Sequence, residues 1–80
     1  MSAELGRIRW MCRRGMLELD VLLERFLDRK GYAQLSLDEK QVFENLLKSP
    51  DPVLYSWFLG YEAPEDEQFQ KLIKKIMLLV

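Results

Sequence analysis

The stretch CRRGMLELD, Cys12 to Asp20, sets two arginines against a glycine and two carboxylates within a few residues. Charge-assisted hydrogen bonds from Arg13 and Arg14, with Glu18 and Asp20 as acceptors beside them, suit recognition of a protein surface or an anionic group. Gly15 carries no side chain, so another backbone can approach closely at that corner. A purely local reading of the same residues also exists. Gly15 can serve as the turn between two helices and as the N-cap of the second, with Glu18 at the third helical position, as in half of a capping box. Arg13 and Arg14 would then sit at the negative end of the first helix, where a cation is stabilised by about 0.3–1 kcal/mol. That reading leaves an excess of charge. Arg7, Arg9, Arg13 and Arg14 crowd one end of the chain against Glu4 alone. Arg9 and Arg13 share a helix face at four-residue spacing, and Arg7 and Arg14 share another. Arg9, Arg13, Arg14, Gly15, Glu18 and Asp20 are therefore the candidate partner-binding residues.

Bond-making chemistry finds little support. The chain has no histidine, no threonine and one cysteine, Cys12. Histidine-based catalysis, a histidine or cysteine-rich metal site and an internal disulfide are all excluded. Ser2, Ser36, Ser49 and Ser56 have no histidine to activate them. Cys12 reads as a small buried hydrophobe; a thiolate activated beside Arg13 is the other reading. The expectation is a binding protein with no catalytic residues and no metal ligands. One unpaired thiol fits a reducing compartment. No apolar run reaches the length of a membrane span, and MSAELGRIRW lacks the apolar core of a secretory signal. The expected location is the cytoplasm.

Five helices are predicted to position these residues. Leu5, Ile8, Met11 and Cys12 recur at three- and four-residue steps and make one inward face of a helix over 3–13; Trp10 lies off that face. Met16, Leu19, Leu22, Leu23, Phe26 and Leu27 form a broad stripe on a second helix over 16–29, and Gly31 follows as a left-handed C-terminal residue. SLDE, Ser36 to Glu39, has the form of a capping box and opens a third helix to about Lys48, burying Val42, Phe43, Leu46 and Leu47. Asp51 caps a fourth, with Pro52 at its first position, and Gly60 ends it. Pro64 opens a fifth, lined by Phe69, Leu72, Ile73, Ile76 and Val80. Trp57 and Phe58 read as core. No period-two alternation argues for a strand. The expectation is an all-α, compact five-helix bundle in a single small domain over 1–80, with the first two helices antiparallel around Gly15.

Net charge is −1. That is far from the basic balance of nucleic-acid-binding domains, although four arginines near Trp10 keep a small nucleic-acid-binding module as an alternative. Residues 49–68 hold Asp51, Glu62, Glu65, Asp66 and Glu67 and no lysine or arginine. A basic and an acidic end on one small domain suggest a polar partner surface.

Taken together, RIRWMCRRGMLELD, LSLDEKQVFENLL, DPVLYSWFLG and a proline four residues later resemble the SdhE-type succinate dehydrogenase flavinylation and assembly factors. The most specific element is Arg-Gly-x-x-Glu, here Arg14, Gly15 and Glu18. Val53 stands where relatives often have a second acidic residue. The resemblance implies a five-helix bundle that binds the flavoprotein subunit of succinate dehydrogenase, and often of fumarate reductase, and promotes covalent FAD attachment to a histidine of that subunit. It implies a partner contact at Arg14, Gly15 and Glu18, with Met16 and Asp20 as neighbours. FAD would be attached to the partner and not bound tightly by this chain, which holds no phosphate-cradling glycine loop. The expected free state is a bacterial cytoplasmic monomer with no nucleic acid bound and no membrane insertion. An antitoxin-like helical module is the weaker alternative within the same resemblance.

Overall fold

Local signals in the chain become five helices in the computed structural model, which describes residues 3–80: α1 Ala3–Met11, α2 Leu17–Asp28, α3 Leu37–Leu47, α4 Asp51–Phe58 and α5 Glu67–Leu79. No strand occurs among the described residues. The clearest local signal is met in full. The Glu39 amide donates to Ser36 Oγ at 3.1 Å and the Ser36 amide donates to Glu39 Oε1 at 3.0 Å, so a complete capping box opens α3. The radius of gyration is 11.5 Å, about that of a close-packed domain of this length.

Every helix contributes to one core. Ile8 and Cys12 enter it from the first helix and its exit, Leu19, Leu23, Phe26 and Leu27 from α2, and Phe43, Leu46 and Leu47 from α3. Leu54 and Phe58 come from α4, and Leu72, Ile73 and Ile76 from α5. The Phe26 and Phe43 rings meet at 5.4 Å, and Tyr32 packs on Phe43 at 5.8 Å. Trp57 is only half-buried; it packs against the core edge and on Phe69 at 5.9 Å. The closest helix packing lies among α2 to α5, with α3 on α5 foremost. The return of α1 along α2 is carried by side chains: Arg9 pairs with Asp28 at 3.3 Å, and Arg7 pairs with Glu44 of α3.

Beyond the α1–α2 corner, three helix ends differ from the sequence-based expectation, each for a local reason. Gly31 is not the left-handed residue after α2. Lys30 is, at φ 60°. The Lys30 amide donates to the Leu27 carbonyl at 3.0 Å and the Gly31 amide to the Phe26 carbonyl at 2.8 Å, which is a Schellman ending one residue earlier in register. Gly31 is needed instead because its Cα lies against the Phe26 ring. Asp51 does not cap α4; Pro50 takes the N-cap position and Asp51 is the first helical residue. Pro64 stands before α5 without opening it. Asp66 caps that helix, accepting from the Gln68 amide at 2.8 Å and the Phe69 amide at 3.4 Å. Gly60 ends α4 as expected, at φ 81°.

Lys75 of α5 reaches the Glu39 carboxylate at 2.9 and 3.1 Å. The Ser36 amide first, and Lys75 second, hold Glu39 below the ordinary glutamate value. A depressed folded value contributes stability that is present above the unfolded value near ~4.3 and is lost as pH falls through the folded one. Glu39→Gln is expected to flatten the fall in melting temperature below about pH 4.3 relative to wild type. Superimposable acid limbs in thermal scans would remove Glu39 from that account.

Candidate functional site

The corner between α1 and α2 is built by one carboxylate. The first residues after α1 turn out of helical geometry, and Gly15 adopts φ 80°, a region L-residues enter at a cost. Asp20, in the first turn of α2, folds back beneath it. Its Oδ1 accepts from the Arg14 amide at 2.9 Å and its Oδ2 from the Gly15 amide at 3.1 Å. Met16 is the N-cap of α2 with no side-chain cap bond, and its carbonyl accepts from the Asp20 amide at 2.8 Å. The sequence-based assignment of Gly15 as N-cap is thus one residue early, and Glu18 is the second helical residue. No reciprocal Glu18 cap forms; Asp20 does that work from farther along the helix.

The candidate residues divide into two groups. Gly15 is exposed, and a side chain grown from it would meet nothing within 4 Å. Arg13 is exposed and has no side-chain partner among the described residues. Glu18 is exposed, its carboxylate reached among the described residues only by the Tyr55 hydroxyl at a long 3.5 Å. Desolvation first, and the Glu18 charge second, raise the Tyr55 hydroxyl above its ordinary value. Arg13, Gly15 and Glu18 therefore surround an open ledge, with half-buried Met16 beneath it. Arg9, Arg14 and Asp20 are committed within the chain. Arg9 holds Asp28 across the α1–α2 pair. The Arg14 side chain is only 16% exposed, and its Nη1 donates to Asp51 Oδ1 at 3.2 Å. Its Nε is buried without a hydrogen-bond partner among the described residues. Arg14 thereby ties the corner to the first turn of α4 rather than lying against Glu18.

Asp51 and Tyr55 join the site from outside the candidate partner-binding residues that the sequence offers. They stand 37 positions from Arg14 and Glu18 respectively. Their four-residue spacing does place them on one face of α4, but nothing local says that this face meets the corner. Leu17 and Val21 were passed over, and both lie exposed on α2.

Cys12 sits under the corner, 2% exposed. Burial, partly offset by Arg14 and then Arg9, pushes its thiol up to about 12. At pH 8 the thiol is then held protonated, and the thiolate is the reacting form. A disulfide reagent at pH 8 is expected to leave the folded chain unlabelled and to label it fully in denaturant. Rapid labelling without denaturant would restore the reading of a reactive thiol. Among the described residues no cluster of acidic or cysteine side chains could hold a metal ion, and no helix is long and apolar enough to cross a membrane.

Comparison with known proteins follows the same residues. A family model described as flavinator of succinate dehydrogenase matches residues 6–80. The FAD assembly factor SdhE of Coxiella burnetii is 55% identical over 73 residues, covering 91% of this chain and 88% of that protein. The protein of the same name from Idiomarina loihiensis is 50% identical over 68 residues, 85% of this chain and 74% of the relative. That of Colwellia psychrerythraea is 45% identical over 77 residues, 96% and 84%. No solved structure matches the chain.

Proposed function

The chain belongs to the flavinators of succinate dehydrogenase, and from that premise we propose that the Gly15 ledge is where it docks on its flavoprotein client. It is an FAD assembly factor and not an enzyme. The client is the flavoprotein subunit of succinate dehydrogenase, with the corresponding subunit of fumarate reductase as a second. FAD becomes covalently attached to that subunit, on a histidine that this chain cannot supply because it has none. The factor acts by favouring a client conformation in which flavin and histidine are held in reactive geometry. Such a shift needs only differential affinity for two client states, together with the gain from proximity. No group of this chain takes part in the bond, and the chain does not hold FAD tightly alone. The free factor is a cytoplasmic monomer that binds no nucleic acid.

The observation that carries this reading is the open, left-handed Gly15 corner, held rigid by Asp20 and flanked by Arg13, unpaired among the described residues, and by weakly engaged Glu18. A turn used only to join two helices does not need an uncovered cation on one side and an exposed carboxylate on the other. The role of Arg14 differs from that of Arg13: it stiffens the ledge through Asp51, while Arg13 and Glu18 offer charge-assisted hydrogen bonds to the client.

The test is reconstitution. The apo flavoprotein subunit is incubated with FAD, with and without the purified chain, and in-gel flavin fluorescence is read after denaturation. Covalent flavin is expected to accumulate faster with the chain present, through a one-to-one complex. Equal rates with and without it would refute the proposal, and salt-sensitive retention on DNA in place of client capture would favour the nucleic-acid alternative.

A further inference from the structure

We propose that a groove beside the ledge seats an apolar side chain of the flavoprotein subunit, with a lysine or arginine of the same segment against Glu18; this rests on the docking assignment above. The groove measures about 370 Å³ and is lined by Leu17, Val21 and Leu22 of α2, by Leu59 at the end of α4, and by Glu18. Leu17 is 79% exposed and Val21 39%. Their four-residue spacing puts them on one face of α2, turned away from Leu19 and Leu23, which the core has taken. Exposed leucines are ordinary when scattered. Here apolar side chains from two helices face one depression, and that points to a binding surface.

The occupant follows from what surrounds the groove. It begins two residues after Gly15, so a chain lying on the ledge continues directly into it. Glu18 is the single charged group in its lining, and the carboxylate has only the long Tyr55 contact. An incoming segment therefore meets hydrocarbon walls and one exposed anion, a combination that accepts an apolar anchor next to a cation. The ledge supplies charged recognition, and the groove supplies the desolvated contact where most binding energy concentrates. Leu78, equally exposed but far along the chain on α5, lines no such groove beside the corner and is the control.

The experiment titrates the full chain into the apo flavoprotein subunit of succinate dehydrogenase, comparing wild type with Leu17→Gln, Val21→Gln, Leu78→Gln and Gly15→Arg. Glutamine retains helix propensity, so α2 survives; circular dichroism verifies it, and light scattering sizes each free chain. Leu17→Gln is expected to weaken binding at least about tenfold and Val21→Gln about threefold, with Leu78→Gln within about twofold of wild type. If Leu17→Gln and Val21→Gln bind like wild type while Gly15→Arg does not, the groove is wrong and the ledge stands. If Gly15→Arg binds normally as well, the docking assignment falls with it. A wild-type dimer that Leu17→Gln dissolves would give the groove to a second copy and overturn the proposal.

Discussion

Gly15→Arg is expected to abolish client capture and covalent flavin formation while the bundle stays folded. The two effects separate because of how the corner is made. At φ 80° any side chain incurs backbone strain, about 1–2 kcal/mol for an L-residue. Nothing inside the chain lies within 4 Å of the new Cβ, so no core group moves. Stability should fall by that strain alone. The arginine instead fills the space above the ledge that the proposed docking leaves for a client backbone. Loss of affinity is expected to reach about a hundredfold or more, the scale of a disrupted interface centre. Gly15→Ala separates strain from bulk. Its melting temperature should match that of Gly15→Arg, and its affinity should lie between those of wild type and Gly15→Arg. Equal affinities for the two variants would mean that the backbone conformation, not the open space, carries recognition.

Two further glycines yield opposite results from one substitution. In Gly31→Ala the new Cβ would stand 2.2 and 2.3 Å from carbons of the Phe26 ring and 2.7 Å from the Phe26 carbonyl oxygen. Phe26 is fully buried against Phe43, so its ring cannot move without opening the core. Overpacking of this kind costs about 2–3 kcal/mol. The corresponding fall in melting temperature is roughly 10–20 °C for a domain of this size. Gly6 lies inside α1 with nothing within 4 Å. Gly6→Ala there should gain about 1 kcal/mol, because alanine loses less backbone freedom on forming helix. Urea unfolding of both variants checks the pair; a stable Gly31→Ala protein would show that the Phe26 ring has room the packing denies it.

Those glycines also mark where the chain's own sequence is readable and where it is not. Helix-periodic apolar residues found their core: Ile8, Leu19, Phe43 and Ile76 all lie inside. The capping box at Ser36 and Glu39 could be read because both its bonds close within four residues. Gly31 was misjudged by one position, since local pattern cannot distinguish a glycine chosen for a left-handed turn from one chosen for contact with a distant ring. The same limit hid half of the corner. The motif residues Arg14, Gly15 and Glu18 stand together in sequence, but whether Arg14 faces out depends on Asp51, which only tertiary packing brings near. Asp20 could be named as a neighbour of the motif; that it would hold two amides of the preceding loop follows from the path of the chain out of α1. Charge count alone grouped Arg13 with Arg14, and burial separates them.

Amide hydrogen exchange of the chain, free and saturated with the apo flavoprotein subunit of succinate dehydrogenase, tests the central claim most directly. Protection on binding is expected to concentrate in peptides covering residues 13–22, where the Gly15 ledge and the Leu17 groove lie, with little change over residues 62–66, beyond the groove residue Leu59. Unchanged exchange over 13–22, with new protection appearing around residues 62–66 instead, would contradict the account and place the client on the acidic α4–α5 loop.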